Sequence, residues 1–195
     1  MDRILDGSKA GPLVAQRTPV ADSEAVRRIL LECRAVEFGE FTLASGARSD
    51  VYVNIKRAWT DPQRLRLIAR ALADRVGGVR CLAGMELGAV PLVVATSLET
   101  GLPYVVVRKE VKGHGTQRRF EGEIPPGATI LLIEDVTTTG GSVLESVGVL
   151  RRAGGVVERA LAVVDRASGA RERLAAEGVA LEWLTTLPEL RAARL

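Results

Sequence analysis

Two hydrophobic periods alternate along this chain, and their alternation predicts its architecture. Short apolar runs fall at residues 79–83, 103–107, 129–133 and 156–164. Runs of this length, set among Gly and Pro, are the pattern of strands buried on both faces. Between them apolar residues recur every three or four positions. Leu65, Ile68, Ala69 and Leu72 form one such face; Val143, Leu144, Val147 and Leu150 form another. These predict helices, as does an apolar stretch at 92–98. Asp61-Pro62 is a favourable helix start, and Gly77-Gly78 and Gly154-Gly155 are stops. Strand and helix in turn predict an α/β fold, a parallel sheet flanked by helices.

The two ends carry other patterns. Val26, Ile29, Leu30 and Cys33 predict a helix over 24–33, capped by Asp22 or Ser23. Phe41 and Leu43, then Val51 and Val53, alternate with polar neighbours on either side of Ser45-Gly46, which predicts a hairpin. Beyond residue 168 the pattern gives a short helix at 171–177, a strand at 179–184 and a terminal helical piece. Residues 1–20 mix charge with Gly7, Gly11, Pro12 and Pro19 and hold no period. They form an N-terminal extension, either loosely ordered or docked on a partner subunit.

Composition narrows the function classes. The 195 residues leave room for one domain, and 47% hydrophobic with 26% charged residues supplies both a core and a solvated surface. A net charge of +3 is too mild to indicate a nucleic-acid partner. No apolar run approaches the roughly 20 residues that cross a membrane, and no signal-peptide core opens the chain. Cys33 and Cys81 lack CxxC spacing, so neither a disulfide framework nor a zinc site follows. A cytoplasmic, reducing setting fits best.

The chemistry concentrates at Thr129-Ile-Leu-Leu-Ile-Glu-Asp-Val-Thr-Thr-Thr-Gly-Gly-Ser142. An apolar strand ends in Glu134 and Asp135. A turn of Val136, Thr137, Thr138, Thr139, Gly140, Gly141 and Ser142 follows, then a helix. Glycines let backbone approach a ligand. The unpaired N–H groups at a helix start make an anion site suited to phosphate. Two adjacent carboxylates can accept from sugar hydroxyls or help hold a hydrated Mg²⁺. The implied ligand is a phosphorylated sugar, because a triphosphate-binding P-loop would require a lysine that this turn lacks. The plainer alternative is a buried strand and a helix with Ser142 only as its cap.

This stretch resembles the phosphoribosyl pyrophosphate (PRPP) motif of type I phosphoribosyltransferases. Three further motifs resemble the orotate phosphoribosyltransferases among them, and the four together run from about residue 36 to 166. Phe38, Gly39, Phe41, Leu43, Ser45, Gly46 and Ser49 match their N-terminal hood. Arg108, Lys109, Lys112 and His114 match their Arg-Lys-x-x-Lys-x-His lid; charge alone would leave this a solvated basic loop. Asp165-Arg166 matches a strand end where the arginine pairs with the substrate carboxylate; alone it would be a surface ion pair.

The resemblance implies a type I phosphoribosyltransferase-like fold: a single domain over 21–195, with a small hood at about 21–55 and a core at about 60–170. It implies PRPP and orotate as substrates and Mg²⁺ held mainly by PRPP, with help from Glu134 and Asp135. Lys109, Lys112, His114 and Asp135 would carry catalysis. Arg108, Lys109, Lys112, His114 and 134–142 would bind PRPP, and a loop at Glu86, Leu87 and Gly88 would hold pyrophosphate through its backbone. Thr138, Arg166 and Tyr52 would meet orotate, although Tyr52 would serve equally as a half-buried strand aromatic. The active unit would be a homodimer in which 108–120 completes the neighbour's site. Some relatives place lysines where this chain has Ala44 and Leu87. The charge of the first is then missing, or supplied by Arg48 or Lys56. The rivals are a same-fold enzyme using a purine, or a PRPP-sensing regulator that binds nucleic acid.

Overall fold

The computed structural model describes residues 23–42, 48–109 and 118–194. Helix α1 (Ser23–Glu32) leads into a two-stranded antiparallel sheet, β1 (Val36–Thr42) and β2 (Arg48–Val53). After the short α2 (Lys56–Trp59) come α3 (Pro62–Ala73), β3 (Cys81–Met85), α4 (Val90–Thr100) and β4 (Tyr104–Val107). Then follow β5 (Phe120–Glu121), β6 (Thr129–Thr137), α5 (Gly141–Arg152), β7 (Val156–Asp165), α6 (Ala170–Ala176), β8 (Ala180–Thr186) and α7 (Leu187–Ala192).

Local chemistry sets several boundaries. Asp61 caps α3, its carboxylate accepting from the N–H groups of Gln63 and Arg64 at 3.0 Å each, with Pro62 in the first turn. Thr186 and Glu189 cap α7 reciprocally. The helix predicted to run on toward Gly77 stops at Ala73 instead.

The larger sheet has the order β5-β4-β3-β6-β7-β8. All its pairings are parallel except β4 with β5. Its centre is β6, whose successive residues feed opposite faces. Leu131 and Ile133 join one core with Leu30, Ile68, Leu72 and Leu92, from α1, α3 and α4. Ile130 and Leu132 join the other, with Val143, Val147 and Leu150 of α5 and Leu174 of α6. Each of these fully buried side chains contributes about 1.5–3 kcal/mol of transfer energy, which explains why the run is unbroken rather than alternating.

The order also contains a reversal. From β3 the chain crosses through α4 to β4 on one side; from β6 it crosses through α5 to β7 on the other. The loops after β3 and β6 therefore diverge from neighbouring strands and leave a crevice at their carboxyl ends. In open α/β sheets ligands bind at such a point.

Two further details differ from the sequence expectation. Strand β6 continues through the acidic pair to Thr137, because Glu134, Val136 and Thr137 keep their parallel register with Ala162, Val164 and Asp165. The two-residue β5 arises where the chain after residue 117 pairs back onto Val106 and Val107. The hairpin β1–β2 forms with Val36 opposite Val53 and Phe38 opposite Val51. Its expected turn, with Leu43, Ala44, Ser45 and Gly46, lies outside the described residues, as do residues 1–20. Among the described residues no helix is long and apolar enough to cross a membrane.

Candidate active site

The crevice at the reversal is a cleft of about 280 Å³ lined by Lys56, Glu86, Leu87, Gly88, Lys109, Glu134, Asp135 and Ser142, with Met85 and Val136. Each group arrives on a different element. Glu134 and Asp135 end β6, Ser142 opens α5, Glu86 to Gly88 follow β3, Lys109 follows β4, and Lys56 opens α2. A larger groove of about 950 Å³ lies beside β5 and the last turn of α5. It is lined by Arg118, Arg119 and Arg152 at the end of α5 opposite the free first-turn N–H groups, and holds none of the sequence-predicted site residues.

Helix α5 begins as an anion site requires. Gly140 adopts the left-handed conformation at the N-cap position (φ 76°, ψ 9°) and no side chain caps the helix. The first-turn N–H groups are thus left to a ligand. Thr138, Thr139, Gly141 and Ser142 are all exposed around them. The alternative role of Ser142 as a cap is not what forms: its hydroxyl donates to Glu134 Oε2 at 3.2 Å. Thr137 is buried, and its hydroxyl has no partner among the described residues.

The two carboxylates differ. Glu134 is only 6% exposed, and its Oε1 accepts from the N–H of Asp135 at 3.2 Å. Burial, then the neighbouring Asp135 carboxylate, pushes its pKa up to about 8. Both effects favour the protonated form of Glu134. Asp135 is more open; its Oδ1 accepts from the N–H of Val136 at 2.8 Å. Its carboxyl group faces Gly88 so closely that a Cβ there would lie 2.7 Å from Asp135 Cγ. The loop 86–88 has a cis Glu86–Leu87 peptide. Glu86 Oε1 accepts from the N–H of Lys109 at 2.9 Å, joining this loop to the segment after β4.

Thr137 and Asp165 are partners in register, which places Arg166 at the same sheet edge. The N–H of Arg166 donates to Thr137 O at 2.9 Å. Asp165 is buried and does not pair with Arg166; its Oδ1 accepts from the N–H of Ala167 at 3.0 Å, in a turn where Ala167 has φ 54°. Burial raises the pKa of Asp165. Among the described residues the Arg166 guanidinium makes no ion pair, so the surface-pair alternative does not form.

The structure therefore gathers Glu86, Leu87, Gly88, Lys109, Glu134, Asp135, Val136 and Ser142 at one cleft, with Thr137 to Gly141 beside it and Arg166 one strand away. Arg108 is half-buried and pairs with Glu121 at 2.9 Å. Tyr52 lies on the hairpin with its ring 5.7 Å from that of Phe41, and is not among the cleft residues. Lys112 and His114 lie outside the described residues. Of the two cations considered for the missing charge, Lys56 lines the cleft, whereas Arg48 lines a separate hollow on the hairpin.

Residues 59–182 match the family described as phosphoribosyl transferase domain. The chain is 48% identical over 163 residues to the orotate phosphoribosyltransferase of Methanosarcina acetivorans, covering 83% of this chain and 87% of that one. The crystal structure of the orotate phosphoribosyltransferase of Aeropyrum pernix superposes with a TM-score of 0.76 at 36% identity, covering 86% of this chain and 96% of that one. The Mycobacterium tuberculosis H37Rv orotate phosphoribosyltransferase in complex with PRPP gives a TM-score of 0.73 at 30% identity, covering 87% and 99%.

Proposed function

The chain belongs to the phosphoribosyltransferase family, among the orotate phosphoribosyltransferases, and from that footing we propose how its cleft performs the transfer. The 5-phosphoribosyl group passes from PRPP to N1 of orotate, giving orotidine 5′-monophosphate and pyrophosphate. The observation that carries this reading is the acidic pair at the sheet reversal, between an uncapped helix start and the backbone loop 86–88.

The 5′-phosphate takes the first-turn N–H groups of α5 and the hydroxyls of 137–142. The ribose hydroxyls donate to Asp135 and Glu134. The C1–O bond breaks as N1 of orotate closes on C1; the electron pair of the broken bond leaves with pyrophosphate, whose oxygens take up the proton that N1 gives up. Positive charge grows on the ribose meanwhile, and Asp135 stabilises it. No nucleophilic side chain is involved; the rate comes from placement and electrostatics. The departing pyrophosphate lies along Glu86, Leu87 and Gly88, with Lys109 beside it. Arg166 takes the orotate carboxylate through its planar fork. Thr138 stands near the base, and the exposed part of the Tyr52 ring meets the pyrimidine.

Mg²⁺ suits this donor set. Among the described residues no group of three or more His, Cys, Asp or Glu could cage an ion, but Mg²⁺ is commonly held by one or two carboxylates plus substrate phosphates. Asp135 and Glu134 would be those carboxylates. The bound ion would neutralise the pyrophosphate.

The working unit in this reading is a cytoplasmic homodimer. Lys109 serves its own cleft, while Lys112 and His114, within 108–120, complete the neighbour's. Residues at about 21–55 act as the hood.

The test is to mix the protein with PRPP, Mg²⁺ and orotate and follow orotate absorbance, with light scattering to report the dimer. Loss of absorbance that needs both PRPP and Mg²⁺ is expected. No loss, in folded protein that binds PRPP, overturns the choice of orotate. Lys56 supplies the charge that Ala44 does not. A charge-assisted contact is worth about 1.5–3 kcal/mol, so Lys56→Ala should raise KM for PRPP about tenfold or more while Arg48→Ala does not. An unchanged KM in Lys56→Ala would remove Lys56 from the site.

A further inference from the structure

Arg119 joins three groups beside the cleft. Its Nη2 reaches Lys109 O at 2.7 Å and Arg108 O at 3.2 Å, and also meets Glu145 Oε1 on α5. Its own carbonyl accepts from the N–H of Arg108 at 2.9 Å. Lys109 is thus held at both ends of its backbone, by Glu86 at the N–H and by Arg119 at the carbonyl. Glu145 in turn belongs to the helix whose start forms the phosphate site. One guanidinium therefore ties the backbone that presents Lys109 to the helix that holds the other end of the substrate.

Resting on the reaction proposed above, we infer that Arg119 is a positioning residue: it fixes Lys109 relative to α5, so that phosphate site and pyrophosphate site keep one spacing. Its worth is geometric. The Arg119 and Glu145 side chains are 26% and 45% exposed, and partly solvated ion pairs contribute little to stability. The cost of losing Arg119 then falls on turnover. Displacing a catalytic group by about 1 Å can cost about 100-fold, and Lys109 is the group displaced.

The test is a double-mutant cycle. Arg119→Ala should lower kcat/KM for PRPP by about 30- to 100-fold with thermal stability nearly unchanged, and Arg119→Lys should recover part of it. In a Lys109→Ala background the same replacement should cost less than about threefold, because the group it positions is gone. Equal losses in the two backgrounds would overturn the inference, as would wild-type kinetics in Arg119→Ala. A wild type that does not turn over PRPP and orotate sinks the parent reading as well; an active wild type with additive losses sinks only this one.

Discussion

Asp135→Asn is expected to lower kcat/KM for PRPP by about 100- to 1,000-fold, the cost of removing one preorganised group aimed at transition-state charge. The replacement separates charge from shape. Asparagine keeps an oxygen for the N–H of Val136, which Asp135 Oδ1 now accepts at 2.8 Å. The end of β6 should therefore stay as it is, and melting should change little. What is lost is the negative charge that the proposed reaction sets against the ribose, beside a Glu134 whose pKa burial raises. In the proposed reaction Asp135 meets charge that develops only in the transition state, so the loss should fall mainly on kcat. Steady-state kinetics with PRPP varied will decide, and near-normal kcat would remove Asp135 from the chemistry.

Gly88→Ala should come close to that effect without touching a polar group. The added methyl would lie 2.7 Å from Asp135 Cγ, inside any tolerated contact. Asp135 is short and tied to Val136, so relief means moving either the carboxylate or the loop. Either shift disturbs the loop 86–88, which in the proposed reaction holds pyrophosphate through its backbone because Leu87 brings no charge. A displacement of about 1 Å is enough for roughly a 100-fold loss in kcat/KM. Gly88 lies at the cleft rim rather than in a core, so circular dichroism and melting should match the wild type. Wild-type turnover in this variant would mean that Asp135 swings clear freely, and the preorganised pair would have to be abandoned.

Much of this arrangement is legible in the chain itself. The unbroken run before Glu134, the glycines after it and the helical face from Val143 place a carboxylate pair and a phosphate-binding turn together, because each depends on neighbours in sequence. The helix over 62–73 is marked the same way by Asp61-Pro62. What escapes is set by pairing across the fold. Strand β6 reaches Thr137 because β7 lies alongside it, and no local period records that. Ser142 turns to Glu134 instead of capping because Gly140 already makes the turn. The choice of Lys56 over Arg48 depends on where the hairpin leads into α2. Gly88 looks like any loop glycine until β3 and β6 are neighbours. Arg119 is one of five basic side chains in its loop, and only the contacts to Lys109, Arg108 and Glu145 distinguish it.

The pairing of β3 with β6 has a consequence for how the protein acquires activity. Cys81 to Gly84 align with Ile130 to Ile133, and the whole of α4, β4 and β5 intervenes. Parallel pairs of such wide sequence separation pay their chain-closure entropy before any contact rewards them, and they form slowly. The cleft spans that seam, so no fragment ending before β6 holds any part of the acidic pair. On refolding, recovery of turnover should trail recovery of helical signal, and a ribosome must release the chain well past β6 before the first working site exists.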